Sequence, residues 1–324
     1  MKFRLASTRR LELLFLFILG LVVNGTAASE GDADEVYQEC RRLRTQELCA
    51  KDKWQRGVLD VLSGWDCAAQ GQYECMWEST KRRVAQGTEI VQFHGKWPFV
   101  RMGGIQEPAS VLFSLGNLWV HWNGLRSVLS AMSQGHGLSW MRSWYVIYGI
   151  ASLNAWLWSS VFHTRDSGWT EKMDYFSAAF AVLTGSVVAL IRTFRPRNTR
   201  ILAMVSFLIY CAHVAYLSLW RFDYSYNMAA NVLIGLAHNL IWLFWAVTHP
   251  ERPYRRTIVV AVILVSLSMG LELLDFPPWA WILDAHALWH ASTIFIIPMF
   301  YKFTVQDIQW ESSKLLGARK IRGD

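Results

Sequence analysis

Seven apolar stretches, separated by short polar segments, fill most of the chain after residue 107. Their lengths approach the roughly 20 residues that a helix needs to cross a bilayer core. They lie at about residues 108–130, 142–162, 174–193, 200–219, 227–247, 257–273 and 281–301. The sixth is short, and Glu272 and Asp275 blur its end. The pattern predicts an all-α membrane protein, with a seven-transmembrane helix bundle over residues 107–302 and a cytosolic tail over residues 303–324.

The first 28 residues have the pattern of a secretory signal peptide. A basic segment precedes the apolar stretch from Leu11 to Val23, which is short for a membrane span. Thr26, Ala27 and Ala28 then supply the small residues that are typical of a cleavage site. An uncleaved membrane anchor is the alternative.

A polar region, residues 29–106, follows the signal peptide. Four of the five cysteines lie in it: Cys40, Cys49, Cys67 and Cys75. An even number of cysteines behind a signal peptide predicts a small disulfide-bonded lumenal region, and three pairings are possible. A zinc knuckle is the rival interpretation, but the spacings lack the tight CxxC pairs of structural zinc sites. The fifth cysteine, Cys211, lies in an apolar stretch, where we expect a buried free thiol.

The net charge of +7 and the 18 tryptophans fit a membrane protein. Trp is enriched at membrane interfaces, and Lys and Arg are enriched in cytosolic loops. The loops after the third and fifth stretches, RTFRPRNTR (192–200) and THPERPYRR (248–256), are strongly basic, whereas the opposite loops are mixed or acidic. The N-terminal region and the opposite loops are therefore predicted to be lumenal. Because loop topology accounts for the basic residues, we expect no nucleic-acid partner.

Residues that carry chemistry recur near the ends of three stretches. Ser159 and His163 are four residues apart at the end of the second stretch, hence on one helix face. Asp174 opens the third stretch, and His286 and His290, again four apart, lie in the first turns of the seventh. The predicted topology brings all five to the lumenal side, and ionisable groups near a bilayer are functional candidates.

Three histidines suit a catalytic zinc ion, which commonly has three protein ligands and one open position. We therefore expect His163, His286 and His290 to bind Zn²⁺. Asp174 is the candidate general base towards water, and Ser159 is the candidate hydrogen-bond donor to that water or to an oxyanion. A nucleophilic Ser–His–Asp triad is the competing chemistry, but it leaves His286 and His290 without a role.

Structural roles for the same residues stay open. Histidine pairs in membrane helices often bond only to backbone or headgroups, and a serine in a span usually bonds back to its own helix. Asp174 is also consistent with an N-cap or a first-turn acid. Glu107 is either a cap of the first span or an acid that supports a ligand, and Asp284 is expected to orient a loop or a ligand.

The Ser-x3-His motif, the aspartate eleven residues later and the late HxxxH resemble the CREST superfamily of membrane hydrolases, which includes alkaline ceramidases and adiponectin-type receptors. The chain is most similar to the post-GPI-attachment phospholipase family of GPI-anchor lipid remodelling enzymes. The segments that carry this resemblance are YECMW (73–77), QFHGKWPF (92–99), QEPAS (106–110), SLNAWLWSSVFHTRD (152–166), TEKMDYF (170–176), SLWRFDYSYN (218–227), LELLDFPP (271–278) and LDAHALWH (283–290). The family's metal histidines correspond to His163, His286 and His290. Its serine and aspartate correspond to Ser159 and Asp174.

The resemblance implies a phospholipase A2 that removes the sn-2 unsaturated acyl chain from GPI-anchored proteins during fatty-acid remodelling. It implies a multi-pass membrane protein of the Golgi or endoplasmic reticulum, with a lumenal active site among membrane lipids. The residues alone reach only a lumenal metal-dependent hydrolase of a lipid ester or amide. Two alternatives stay open: a ceramidase-like lipid amidase, and a non-enzymatic seven-span lipid receptor or cargo chaperone.

Overall fold

The computed structural model describes residues 29–50, 57–134 and 137–322. The predicted signal peptide, residues 1–28, lies outside the described residues. Within those ranges the chain forms helices joined by loops, with three isolated β-bridges and no strand. The prediction of an all-α protein is confirmed.

Short helices make up the N-terminal region, and long helices follow it. The N-terminal helices are α1 (Glu30–Ala33), α2 (Glu35–Cys49), α3 (Val58–Leu62) and α4 (Cys67–Ala85). The long helices are α5 (Pro108–Gln134), α6 (Arg142–Thr164), α7 (Gly168–Phe194), α8 (Thr199–Ala215), α9 (Tyr224–Thr248), α10 (Arg255–Leu274) and α11 (Ala285–Arg322). A π-helical turn, Tyr216–Trp220, extends α8.

Two disulfides join α2 to α4 and decide the cysteine pairing. Cys40 bonds to Cys75, and Cys49 bonds to Cys67. This nested pairing links the two helices covalently at two points along their length. Because all four cysteines of the region are oxidised, none is available as a thiolate ligand for a zinc knuckle. Because so small a region buries little apolar surface, covalent links of about 2–4 kcal/mol each make up part of the missing core.

In the described part of the chain, four helices are long and apolar enough to cross a membrane: α7, α8 with its π turn, α9 and α10. Each of the seven predicted stretches overlaps one long helix, but α5, α6 and α11 are not among those four. These three carry buried polar side chains, including Ser114, Ser159 and His290. Such groups lower the hydropathy of a helix although they face protein and not lipid.

Six long helices pack side by side in a closed ring, in the order α5, α6, α7, α9, α10, α11 and back to α5. Helix α8 packs on α7 from outside the ring. One end of this bundle is called here the site end. There the first turns of α5, α7 and α11 meet the last turns of α6 and α10. Cys211 on α8 is exposed, so the expectation of a buried thiol is wrong. The reason is that α8 lies outside the ring, where the described residues cover little of its surface.

The opposite end of the bundle, the far end, contains the main apolar core and a buried ion network. Asp307 of α11 accepts hydrogen bonds from Arg192 (2.6 and 2.9 Å), Arg252 (2.6 Å) and Tyr254 (2.7 Å). Glu311, one turn later, pairs with both arginines. Two arginines of the basic loops are therefore neutralised inside the protein. A count of the basic residues in those loops consequently overstates the positive charge that is free at the surface.

Helix α11 passes residue 302, the predicted start of the tail, without a break. Phe303, Asp307 and Ile308 are fully buried. The first turns of the predicted tail are therefore part of the packed bundle.

Two helix starts differ from the predicted ones. Helix α7 begins at Gly168, with Ser167 as its N-cap, so Asp174 lies inside the helix and is neither an N-cap nor a first-turn acid. Helix α11 begins at Ala285 and not at residue 281. Asp284 caps it, because its Oδ1 accepts a hydrogen bond from the backbone N–H of Ala287 at 2.8 Å.

The N-terminal region docks on the site end through the loop between α10 and α11. Asp275 of that loop accepts hydrogen bonds from Gln92 (2.8 Å) and from the indole of Trp97 (2.6 Å). The backbone N–H of Val100 donates to the carbonyl of Trp281 at 2.9 Å. The disulfide-bonded region and the helix that carries His286 and His290 are thus held together by directional contacts.

Candidate metal centre

Three imidazole rings meet at the site end, between the last turn of α6 and the first turns of α11. One nitrogen from each of His163, His286 and His290 lies within 4.8 Å of the other two. Nε2 of His163 and Nε2 of His286 are 3.3 Å apart. His163 and His290 are buried, whereas the His286 side chain is 33% exposed. The cluster is therefore closed on two sides and reachable from the side of His286.

Each ring is held through its Nδ1 atom. Nδ1 of His163 lies 2.7 Å from Glu107, and Nδ1 of His286 lies 2.6 Å from Glu272. Nδ1 of His290 lies 2.9 Å from the hydroxyl of Ser114. With Nδ1 engaged in this way, Nε2 of each ring is the atom left for an ion. Metal-binding histidines are commonly oriented by such a partner on the other ring nitrogen.

Glu107 is fixed by a second contact, an ion pair with Lys96. Lys96 also lies 3.4 Å from Asp166 and 4.0 Å from the ring centroid of Phe162. Burial alone would lower the pKa of Lys96, but the carboxylates of Glu107 and Asp166 outweigh it and raise that pKa above its ordinary value. A cation from the N-terminal region therefore stabilises the carboxylate that orients His163.

Ser159 lies close to the cluster but does not contact a histidine directly. Its Oγ is 3.0 Å from Oγ of Ser114, which in turn bonds to His290. Ser159 is buried and lies one helical turn before His163. The expected proximity of Ser159 to the cluster is observed, with Ser114 between them.

Asp174 lies in the second turn of α7, the helix that follows the one carrying His163. Its side chain is half-buried and within electrostatic range of His286. Among the described residues it makes no hydrogen bond and no ion pair. The carboxylate is thus available to a ligand, and it does not belong to the three-histidine group.

Sequence reasoning missed three contributors and left a fourth undecided. Ser114 and Lys96 carried no signal, because a serine in an apolar helix and a lysine in a loop are ordinary. Glu272 did carry one, since a carboxylate inside an apolar stretch needs a partner. Glu107 lies 2.7 Å from Nδ1 of His163, an arrangement that fits the second of its two open interpretations, an acid that supports a ligand. Asp284 caps α11 and contacts no histidine ring among the described residues.

The arrangement is suited to binding a metal ion. Three imidazoles on two helices bring one nitrogen each to within 4.8 Å of the others, and the surrounding acids would favour a cation there electrostatically. Trp156 lies edge-on to His290, with ring centroids 5.1 Å apart, and supplies an apolar wall. Three protein ligands leave one coordination position open, as in metal sites that accept water or a substrate as a further ligand.

Residues 58–308, which include every residue of this site, match the sequence profile of the Per1-like family. The chain is 40% identical over 305 residues to the mouse protein named GPI-specific phospholipase A2-like PGAP3, covering 90% of this chain and 93% of the relative. It is 38% identical over 312 residues to the Drosophila melanogaster protein named post-GPI attachment to proteins factor 3, covering 91% and 94%. The human relative is 39% identical over 293 residues, covering 87% and 90%. No solved structure matches the chain.

Proposed function

The chain belongs to the Per1-like family, and from that premise we propose that it is a GPI-specific phospholipase A2. It removes the sn-2 unsaturated acyl chain from GPI-anchored proteins during fatty-acid remodelling. The observation that carries this proposal is the convergence of His163, His286 and His290, each held through Nδ1. A cluster of this kind is suited to hydrolysis of an ester, and the relatives bear the name of such a hydrolase.

Zinc is the proposed ion, because three neutral imidazoles with one open position are a common set for catalytic zinc. His163, His286 and His290 would hold it. Bound there, zinc would supply a Lewis acid that makes water nucleophilic near neutral pH and polarises an ester carbonyl. The acids Glu107 and Glu272 keep the rings of His163 and His286 in the orientation that binding needs.

Asp174 and Ser159 complete the proposed chemistry. Asp174 accepts the proton of the water whose oxygen attacks the sn-2 carbonyl carbon. The hydroxyl of Ser159 donates a hydrogen bond to the developing oxyanion. The bond to the glycerol oxygen then breaks, and that oxygen receives the proton held by Asp174. The products are a free fatty acid and a lyso-GPI anchor.

The seven long helices are proposed as seven membrane spans, with the site end in the lumen of the endoplasmic reticulum or Golgi. Two observations support this orientation. Disulfides form in oxidising compartments, and the disulfide-bonded region docks on the site end. The loops 192–200 and 248–256 lie at the far end. They stay basic even when the paired Arg192 and Arg252 are not counted, as is typical of cytosolic loops.

The test is the acyl-chain composition of GPI anchors in cells that lack this protein, rescued with variants at matched expression. Wild-type protein should restore the removal of the unsaturated sn-2 chain. Asp174→Asn should reduce the rate of this removal by about 10²–10⁴, as for loss of a general base. Glu171→Gln, an acid on the same helix, is the matched control and should rescue. Full rescue by Asp174→Asn at wild-type rate would contradict the proposal.

A further inference from the structure

A shallow cleft of about 670 Å³ lies between α4 of the N-terminal region and the loop that leads into α11. The aromatic rings of Tyr73, Trp77 and Trp281 line it, together with the charged groups of Glu74, Glu78 and Lys81. Arg44 and Val100 complete the lining. The proposed chemistry uses none of these residues.

The spacing along α4 explains why these side chains face the cleft. Tyr73, Trp77 and Lys81 recur every four residues and so form one stripe on the helix. The opposite stripe contains Cys75 and Ser79, which are buried towards α2. The aromatic stripe therefore faces away from α2, and its two rings are only partly covered, although Tyr73 also contacts Arg101, whose guanidinium lies 4.2 Å from the ring centroid.

Trp281 closes the cleft from the other side in an unusual backbone conformation. Its φ is +62° and that of Ala280 is +51°, in the left-handed region that bulky residues rarely adopt. The bond from Val100 to the Trp281 carbonyl holds this conformation. The indole consequently lies edge-on to Trp77, with ring centroids 5.2 Å apart. Strain of this kind, maintained by neighbouring contacts, tends to occur at functional positions.

We propose that this cleft binds the saccharide headgroup of the GPI substrate, a proposal that rests on the proposed function. The faces of aromatic rings are electron-rich, and they attract the C–H groups on the apolar face of a sugar ring. The charged side chains beside these rings supply hydrogen-bond partners for the hydroxyl groups of a sugar. Lys81 is exposed and makes no ion pair among the described residues, so it is available to a phosphate. Glu78 is exposed beside it and suits the amine of an amino sugar.

The position of the cleft fits one substrate that occupies both sites. Trp281 and His286 are five residues apart, so their Cα atoms lie within about 18 Å of each other. This distance suits a lipid whose ester lies at the histidines while its sugars extend over the N-terminal region. Binding of the headgroup there distinguishes GPI from simple phospholipids, which lack the sugars.

The experiment measures binding and hydrolysis separately on the full-length protein in detergent. Calorimetric titration uses the acyl-free glycan headgroup of a GPI anchor, with inositol phosphate as the sugar-free comparison. Trp77→Ala should weaken headgroup binding roughly two- to tenfold, the range expected for loss of one aromatic contact. Lys81→Gln, an exposed position that does not threaten folding, should also weaken it. Trp169→Ala removes an exposed tryptophan on α7 outside the cleft and serves as the matched control.

Hydrolysis provides the second readout. Trp77→Ala and Lys81→Gln should raise KM for the glycosylated lipid while kcat, and KM for phosphatidylinositol, stay unchanged. Headgroup binding that is absent in the wild type, or equally tight in both variants, overturns the cleft proposal even when hydrolysis is normal. Headgroup binding that depends on Trp77 and Lys81 in a protein that hydrolyses no lipid supports the cleft and overturns the phospholipase proposal. Equal binding of a sugar-free peptide in the cleft also overturns the saccharide assignment.

Discussion

Oε2 of Glu272 lies 2.6 Å from Nδ1 of His286, although the two residues belong to different helices. The carboxylate is at the end of α10, and the imidazole is in the first turn of α11. This contact turns Nε2 of His286 towards His163, and without it the ring is free to rotate away. The relationship makes the metal centre a property of packed helices and not of the HxxxH spacing alone.

Zinc content should depend on each of the three histidines. Purified protein should contain about one zinc per chain, and His286→Ala should lose most of it, because a catalytic site with two ligands left binds weakly. Elemental analysis after dialysis measures this. His249→Ala is the control, since His249 stacks on Trp245 at the far end. Unchanged zinc in single variants of all three histidines would rule out the site.

The carboxylates behind the ligands should tune the affinity. Glu272→Gln and Glu107→Gln keep the size of the side chain but remove its charge, and each should weaken zinc binding about 10- to 100-fold. Competition with a chelator of known affinity measures the change. Glu251→Gln, an exposed acid at the far end, should have no effect. Wild-type affinity in both buried-acid variants would mean that the carboxylates do not orient the rings.

The two serines should have separable roles. Ser114→Ala removes the partner of His290 and should lower zinc affinity. Ser159→Ala should keep zinc and reduce lyso-GPI formation by about 10²–10³, as for loss of one oxyanion donor. Zinc analysis and a lipid assay on the same preparations test both. An acyl group trapped on Ser159, with a loss as severe as that of His163→Ala, would instead identify a nucleophile and defeat the water mechanism.

The ion network at the far end should stabilise the fold without touching the chemistry. Asp307→Asn leaves Arg192 and Arg252 buried with one acid fewer, and should cost about 3–5 kcal/mol of unfolding free energy. Thermal unfolding in detergent measures the loss, and zinc per folded chain should not change. Arg197→Gln alters an exposed arginine in the same basic loop and should be neutral. Equal stability of the two variants would show that the network contributes nothing.

The orientation is tested by protease protection on sealed microsomes. A tag placed before Glu35 should be protected and a tag after Asp324 should be digested, because the disulfide-bonded region requires an oxidising lumen. Permeabilised microsomes, in which both tags are digested, are the control. A protected C-terminal tag would contradict the lumenal placement of the site end.

Features that depend on local periodicity can be predicted from the amino-acid sequence. Apolar length identified seven helices, since burial in a membrane or a bundle requires a continuous apolar stretch. The spacing of four placed His286 and His290 on one face, and Ser159 and His163 on another. The alternation of basic and acidic loops then predicted that these pairs lie at the same end of the bundle. An even cysteine count behind an apolar leader predicted disulfides.

The side chains that complete those local patterns are known only from the packing of the helices. Ser114 meets His290 across 176 positions of sequence, and Lys96 reaches Glu107 from a different region. The nested cysteine pairing and the Trp77–Trp281 contact arise in the same way. Such contacts depend on how whole helices pack, and a serine or a tryptophan that faces a partner has the same local sequence signature as one that faces lipid. Periodicity fixes the face of a helix, whereas the neighbour opposite that face is chosen by long-range packing.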